Sequence, residues 1–156
     1  MSALTWSEGL ELGLSFMDDT HREFVDLLAR CEAAGDAALP SLWDELVAHT
    51  ADHFGREDEW MLATGFASGN CHSTQHNVVL QVLREGAARA QQGDLEPIRQ
   101  MTVELAAWFP QHAQTMDAAL ALHLRGVGYD AHSGQVLEPQ RLPAQAISGC
   151  SSASCS

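Results

Sequence analysis

Histidines and carboxylates four residues apart, repeated in separate helix-like segments, are the feature that most constrains this chain. Eight of its 156 residues are histidine, against a single tyrosine. His53 and Glu57 form an HxxxE pair, and His72 and His76 form an HxxxH pair. Side chains at this spacing lie about 40° apart around a helix axis, so each pair faces one side. One such pair also arises by chance on a solvated face, whereas several in separate helices favour a shared metal site.

Apolar residues recur at helical spacing in four segments that are bounded by capping and turn residues. The predicted helices run from Asp18 or Asp19 to Gly35, from Pro40 to Gly65, from Asn70 to Gln92, and from the stretch 94–97 to Gly126. The residues before the first helix are expected to lie on the domain as an arm. Because short loops favour antiparallel neighbours, the sequence predicts an all-α fold: an up-down antiparallel four-helix bundle with an N-terminal arm.

The pattern stops after Asp130, where Ser, Ala, Gly and Pro replace the periodic apolar residues. A chain of 156 residues fits one domain. We therefore predict that residues 1–130 form the bundle with its arm, and that residues 131–156 form a flexible C-terminal tail.

Charge and cysteine content exclude several classes of protein. Eight basic residues stand against 21 acidic ones, and a net charge of −13 disfavours nucleic acid and anionic membranes as partners. No apolar run approaches the roughly 20 residues needed to span a bilayer, and the N-terminus lacks a basic leader followed by an apolar core. Four cysteines without a CxxC pair suggest reduced thiols and a cytoplasmic location. The oligomeric state stays open.

The other two predicted helices also offer metal-binding side chains. The first contains His21, and the fourth contains His112 followed by Asp117 five residues later. Five residues turn a regular α-helix by about 140°, which is too far for one face. Pro110 removes an amide donor and crowds the preceding turn, so we predict a widened or π-like turn between His112 and Asp117.

Five segments together resemble the hemerythrins, and specifically their single-domain bacterial members. These segments are LTWSEGLELG at 4–13, MDDTHREF at 17–24, HFGREDEWM at 53–61, CHSTQH at 71–76 and WFPQHAQTMD at 108–117. The order of the motifs, a single His, HxxxE, HxxxH and HxxxxD, is specific, and the resemblance covers about 125 residues.

The resemblance implies a centre of two iron ions. One iron would be held by His72, His76 and His112, and the other by His21 and His53. Glu57 and Asp117 would bridge the two irons together with an oxo or hydroxo group. Five histidines on two irons leave one coordination position open, and dioxygen would bind there reversibly. Oxygen storage, delivery or sensing is the function that follows.

An apolar lining is expected around the oxygen site. Its predicted members are Phe24, Leu28, Phe54, Trp108 and Ala113, although apolar residues at helical spacing are also ordinary core. Ala113 stands where a bulkier side chain is common in the family, so small anions, peroxide or nitric oxide are alternative ligands. The same centre could then act as an enzyme that reduces peroxide or nitric oxide, or the protein could be an iron store.

Two more residues lie near the predicted ligands. His49 precedes His53 by four positions and is predicted to neighbour the site without binding metal, because the ligand set is complete without it. Cys71 adjoins His72 but projects about 100° away on a helix, so packing is predicted rather than ligation. The roles of Cys150 and Cys155 stay open.

Overall fold

Four long helical segments dominate the computed structural model, which describes residues 4–149. The helices are α1 (Ser15–Ala33), α2 (Leu39–Ala63), α3 (Cys71–Gln91), α4 (Glu96–His112) and α5 (Ala118–Gly126). A π-helical turn at Ala113–Asp117 joins α4 to α5, so these two form one long fourth segment. The first segment packs against the second and fourth, and the third packs against the second and fourth. The predicted all-α bundle with an N-terminal arm is confirmed.

Four residues at the predicted helix boundaries act where the sequence places them. Pro40 and Pro97 lie in the first turns of α2 and α4, where no amide donor is needed. The side chain of Asn70 accepts a hydrogen bond from the Ser73 amide at 3.0 Å and so caps α3. Gly93 follows α3 with φ +86°, a left-handed conformation that suits glycine.

The predicted start of the first helix is wrong by about one turn. Helix α1 begins at Ser15, so Asp18 lies inside it instead of capping it. The Asp18 carboxylate accepts hydrogen bonds from the amides of Leu12 at 2.8 Å and Gly13 at 3.1 Å. Asp18 therefore connects the end of the arm to the helix by hydrogen bonds. Local capping preferences predicted only an N-cap role for this residue.

The N-terminal arm lies along α1 and reaches the π-turn. It contains a 3-10 turn at Glu8–Leu10, and Leu10 is buried in the core. The Arg22 guanidinium lies 5.0 Å from the centre of the Trp6 ring. The side-chain amide of Gln114 donates to the Gly9 carbonyl at 3.2 Å, which connects the arm to the fourth segment.

Helices α3 and α4 approach each other closely beyond the site. Trp43 is fully buried and its indole N–H donates to the Leu83 carbonyl at 3.0 Å, which links α2 to α3. Three residues further along α3, Gly86 leaves room for α4: a Cβ placed there would lie 2.9 Å from Ile98 Cγ2. A side chain at Gly86 would therefore collide with the core.

The stretch after the bundle has a definite course up to residue 149. Strands β1 (Tyr129–Asp130) and β2 (Gln135–Val136) form a short antiparallel hairpin across the predicted boundary at residue 130. Further on, Ile147 bonds in both directions to the loop between α2 and α3: its carbonyl accepts from the Ala67 amide at 2.8 Å, and its amide donates to the Gly65 carbonyl at 2.9 Å. The boundary and the flexibility of the tail stay predictions.

The cysteines differ from the expectation of reduced thiols. Cys31 is free and buried, and burial raises the pKa of its thiol to about 11. Cys71 is disulfide-bonded, so the expectation is wrong for this residue. Cys150 and Cys155 lie outside the described residues.

No helix within residues 4–149 is both long enough and apolar enough to cross a membrane.

Candidate metal centre

The seven side chains predicted as ligands meet inside the bundle. Four helical segments supply them: His21 from α1, His53 and Glu57 from α2, His72 and His76 from α3, and His112 and Asp117 from the fourth segment. None of the seven is more than 2% exposed. Titratable groups buried this deeply require partners, because burying polar and charged atoms without them is costly.

Glu57 lies between two sets of histidines and directs one oxygen towards each. Its Oε2 atom is 2.8 Å from His53 Nε2 and 3.2 Å from His21 Nε2. Its Oε1 atom is 3.3 Å from His76 Nε2 and 3.7 Å from His72 Nε2. One carboxylate thus faces both halves of the centre.

Asp117 has the same arrangement from the opposite helix. Its Oδ1 atom lies 3.0 Å from His72 Nε2 and 3.2 Å from His112 Nε2. Its Oδ2 atom lies 3.3 Å from His21 Nε2. With Glu57, this makes two carboxylates that connect a three-histidine half to a two-histidine half.

The donor atoms form two overlapping groups, each compact enough for one metal ion. One group is Glu57, His72, His76, His112 and Asp117, and the other is His21, His53, Glu57 and Asp117; within each, the donor atoms lie within 4.8 Å of one another. The structure therefore brings together all seven predicted residues in the predicted division of three and two histidines. Their role as iron ligands is a proposal.

Unpartnered polar atoms at the centre fit a metal pair. The Nε2 atoms of His72, His76 and His112, Glu57 Oε1 and both Asp117 oxygens are buried without a hydrogen-bond partner in the described part of the chain. Their short separations are not in hydrogen-bonding geometry. Nitrogen and oxygen ligands lie roughly 2.0–2.2 Å from a bound metal, so donors that share one ion come close together without hydrogen bonds between them. Imidazole with carboxylate is a donor set that suits iron.

The π-turn is what lets His112 and Asp117 reach the same point. Residues Ala113–Asp117 form a π-helical turn, so the prediction of a widened turn after Pro110 is confirmed. Because a π-turn closes hydrogen bonds between residues five apart, residues at this spacing lie one above the other. A regular α-helix would rotate Asp117 out of the centre.

The two carboxylates are held in the ionised form. Burial alone would raise the pKa of Glu57, but the charge of His53 and hydrogen bonds donated by His21 and His53 hold that pKa well below its usual range. Burial and the neighbouring Glu57 act to raise the pKa of Asp117, yet His112 and His72 lower it. Both groups are therefore anionic near neutral pH, as bridging ligands must be.

Burial and hydrogen bonding shift the pKa values of the histidines in opposite directions. Burial lowers the pKa of His53 despite the nearby Glu57. Burial also acts to lower the pKa of His76, but the hydrogen bond to Asp58 and the nearby carboxylate of Glu57 outweigh it and raise the value to about 9. For His21, the bond to Glu57 and the charge of Asp117 likewise overcome burial and raise the pKa.

Aromatic rings surround the histidines on several sides. Phe54 stacks on His76 with ring centres 4.0 Å apart, and Trp108 stacks on His112 at 4.4 Å. Phe24 lies edge-on to His53 at 6.3 Å. The other two predicted lining residues, Leu28 and Ala113, are buried in the core. Whether these five residues line an oxygen pocket stays a prediction.

Phe109 is a neighbour of the centre that the sequence reasoning missed. It is buried, contacts His21 edge-on with ring centres 5.3 Å apart, and packs against Phe24 at 4.7 Å. The available signal was its position three residues before His112, which places both on one helix face.

The environment of His49 agrees with a non-ligand role. Its Nε2 atom is 3.0 Å from Glu23 Oε2, and it belongs to neither of the donor groups.

Two polar neighbours of the ligands were also missed. Asp58 Oδ1 accepts from His76 Nδ1 at 2.8 Å, and Gln75 Oε1 accepts from His112 Nδ1 at 2.6 Å. Each is adjacent in sequence to a ligand, but such neighbours project about 100° away on a helix, so spacing did not single them out.

Comparison with known proteins places these residues in context. A family model described as the hemerythrin HHE cation binding domain matches residues 12–122. A bacteriohemerythrin of Ralstonia nicotianae is 38% identical over 131 residues, covering 84% of this chain and 96% of that protein. A bacteriohemerythrin of Stenotrophomonas maltophilia is 28% identical over 142 residues, covering 86% and 92% respectively. No solved structure matches the chain significantly.

Proposed function

The chain belongs to the hemerythrin family, and we propose that it is a non-haem di-iron protein that binds dioxygen reversibly. One observation carries the proposal: Glu57 and Asp117 each direct one oxygen to the three-histidine half and the other to the two-histidine half. This is the arrangement that two bridging carboxylates require. Storage, delivery and sensing of oxygen are all compatible with it.

The histidines are divided unequally between the two proposed irons. His72, His76 and His112 would hold one iron, and His21 and His53 the other, with both carboxylates shared. Because the second iron has one protein donor fewer, it would keep a coordination position for a small molecule. The iron pair supplies the electrons that dioxygen binding needs, and an oxo or hydroxo bridge would complete its coordination.

The chain's own contribution is to hold the donors rigidly and to keep bulk water away. Phe24, Phe54 and Phe109 are each at most 3% exposed and pack against histidines of the centre. Apolar walls of this kind favour a small uncharged ligand over water and anions, and they slow irreversible oxidation of the metals.

Anaerobic reduction followed by exposure to air tests the proposal. The iron-loaded protein is reduced, mixed with air and then sparged with argon while its visible spectrum is recorded. We expect a new absorption band with air that fades under argon over repeated cycles. Direct and irreversible conversion to the oxidised spectrum would refute reversible binding. The matched control is His53→Ala, which lacks one donor of the two-histidine half.

Reduction of peroxide or nitric oxide is the second candidate, and a recess borders His112 of the three-histidine half. The recess has a volume of about 220 Å³ and is lined by Gln75, Trp108, Gln111, His112, Thr115 and Met116. Its mixture of amide, hydroxyl and apolar groups suits a small polar molecule. Steady consumption of peroxide or nitric oxide with an added reductant would favour this candidate. A protein that takes up iron without either reaction would be an iron store.

The cytoplasm is the proposed location, but the structure contains an observation against it. Few cysteines and no CxxC pair favour a reducing compartment, whereas a disulfide at Cys71 is uncommon there. Cell fractionation, combined with alkylation of thiols at the moment of lysis, tests the location and the redox state of Cys71 together.

A further inference from the structure

The histidines of the two halves differ in what their outer nitrogens contact. In each of the five, the Nε2 atom points to the carboxylates, so Nδ1 is the nitrogen that faces away. A ring that binds metal through Nε2 carries its proton on Nδ1 and can donate it to an acceptor. Such an acceptor fixes the ring orientation and strengthens the ring as a ligand.

Two of the three histidines in the three-histidine half have such acceptors. His76 Nδ1 donates to the Asp58 carboxylate at 2.8 Å, and His112 Nδ1 donates to the side-chain oxygen of Gln75 at 2.6 Å. The Asp58 side chain is 30% exposed, so this carboxylate remains partly hydrated while it accepts the bond. Two helices, α2 and α3, thus brace ligands that belong to α3 and the fourth segment.

The two-histidine half lacks them. The Nδ1 atoms of His21 and His53 are buried and have no hydrogen-bond partner among residues 4–149. Their rings are positioned by Phe109 and Phe54, which pack against them at ring-centre distances of 5.3 Å and 5.2 Å. Apolar packing restricts where a ring lies, but it does not select the tautomer or add electron density to the donor nitrogen.

We propose that Asp58 and Gln75 are positioning residues that make the three-histidine metal site the tighter of the two, so that the centre loses its metals in a fixed order. The proposal rests on the proposed di-iron centre but not on its reaction with dioxygen. The metal of His21 and His53 leaves first, and the metal of His72, His76 and His112 leaves second. Loss of an acceptor behind a metal-binding histidine weakens metal affinity by about 10- to 100-fold.

Release of ferrous iron to an excess of a coloured chelator, followed anaerobically, tests this order. Wild-type protein loaded with two irons is expected to release them in two phases of equal amplitude. Asp58→Ala and Gln75→Ala should each accelerate the slow phase about 10- to 100-fold and leave the fast phase unchanged. Asp58→Asn and Gln75→Glu retain an acceptor oxygen and should restore slow release.

Matched controls separate positioning from general damage to the fold. Asp52→Ala on α2 and Gln81→Ala on α3 remove exposed side chains whose recorded contacts are with Arg56 and Glu85, away from the centre. Both should leave both phases unchanged. Thermal unfolding of each variant stripped of metal by a chelator checks that the bundle persists. A purely structural defect would also accelerate both phases of iron release together.

Several results would overturn the proposal. These are a single release phase in the wild type, equal acceleration of both phases by Asp58→Ala and Gln75→Ala, or a slow phase that neither variant changes. Two ordered phases in a protein that fails to bind dioxygen reversibly would refute the proposed function alone. A wild-type chain that takes up no iron would refute both.

Discussion

Replacing Gly86 with alanine should destabilise the bundle, although this change in a helix usually has the opposite effect. Alanine favours a helix interior over glycine by about 1 kcal/mol. A Cβ at this position, however, would lie 2.7 Å from Met101 Sδ and 2.9 Å from Ile98 Cγ2. Met101 is flexible and can move, but Ile98 is fully buried and stiff at its branched carbon.

Overpacking of this kind costs about 1–3 kcal/mol. Set against a helix preference of about 1 kcal/mol, the net loss of unfolding free energy for Gly86→Ala is about 0–2 kcal/mol. Gly55 is the matched control, since it lies within α2 and an added Cβ there would meet no atom within 4 Å. Gly55→Ala should therefore stabilise the protein by up to about 1 kcal/mol.

Urea unfolding of the proteins stripped of metal by a chelator, followed by circular dichroism, measures both changes in unfolding free energy. The difference between the two variants isolates the overpacking cost, about 1–3 kcal/mol, because the helix preference cancels. Gly86 lies ten residues beyond His76, about 15 Å along the helix, so Gly86→Ala should still bind two irons. Gly55 lies between the ligands His53 and Glu57, but an added Cβ there meets no atom within 4 Å, so Gly55→Ala should bind them too. Equal stabilisation by the two substitutions would refute the close approach of α3 and α4.

Four further changes test the tail and the centre. Gly65→Ala forces an alanine to φ +100° and places its Cβ 2.5 Å from Pro143 Cγ. The unfolding free energy should fall by about 1–2 kcal/mol, and proteolysis of the tail should become faster. An unchanged cleavage rate would contradict the contact. Glu57→Ala removes the oxygens facing both halves, so iron per chain should fall below two in a colorimetric assay. The pKa of His76 is raised to about 9, so protonation of this ring stabilises the iron-stripped fold. That stabilisation is complete below about pH 6.5 and is lost as the pH rises through 9. The unfolding free energies of wild type and His76→Gln, measured by urea titration, should therefore converge across this range. Phe109→Ala removes the ring that packs against His21 and should lower the unfolding free energy by about 3–5 kcal/mol. It should also speed oxidation of the reduced protein in air. An oxidation rate equal to that of wild type would argue against exclusion of water by Phe109.

Local spacing was sufficient to predict the four helices and to identify most of the residues that meet in the interior. His21 has no metal-binding side chain four residues away, and His49 has one in His53 but belongs to neither donor group, so the family resemblance completed the set of seven. HxxxE and HxxxH each place two side chains on one helix face, whatever the rest of the fold does. The five-residue step from His112 to Asp117, together with Pro110, was enough to predict the π-turn found at Ala113–Asp117. The division into three and two histidines came from the family resemblance, and spacing alone did not determine it.

Contacts between segments were decided by the tertiary structure. The sequence could not show that Asp58 accepts from His76, that Gln75 accepts from His112, or that Phe109 packs on His21. It also misplaced the start of α1, because Asp18 binds the amides of the arm instead of capping the helix. Periodicity determines the direction of a side chain relative to its own helix, whereas a contact between helices also depends on how each one is rotated and shifted along its axis. That rotation and shift result from packing of the whole core, and no local stretch of sequence contains them.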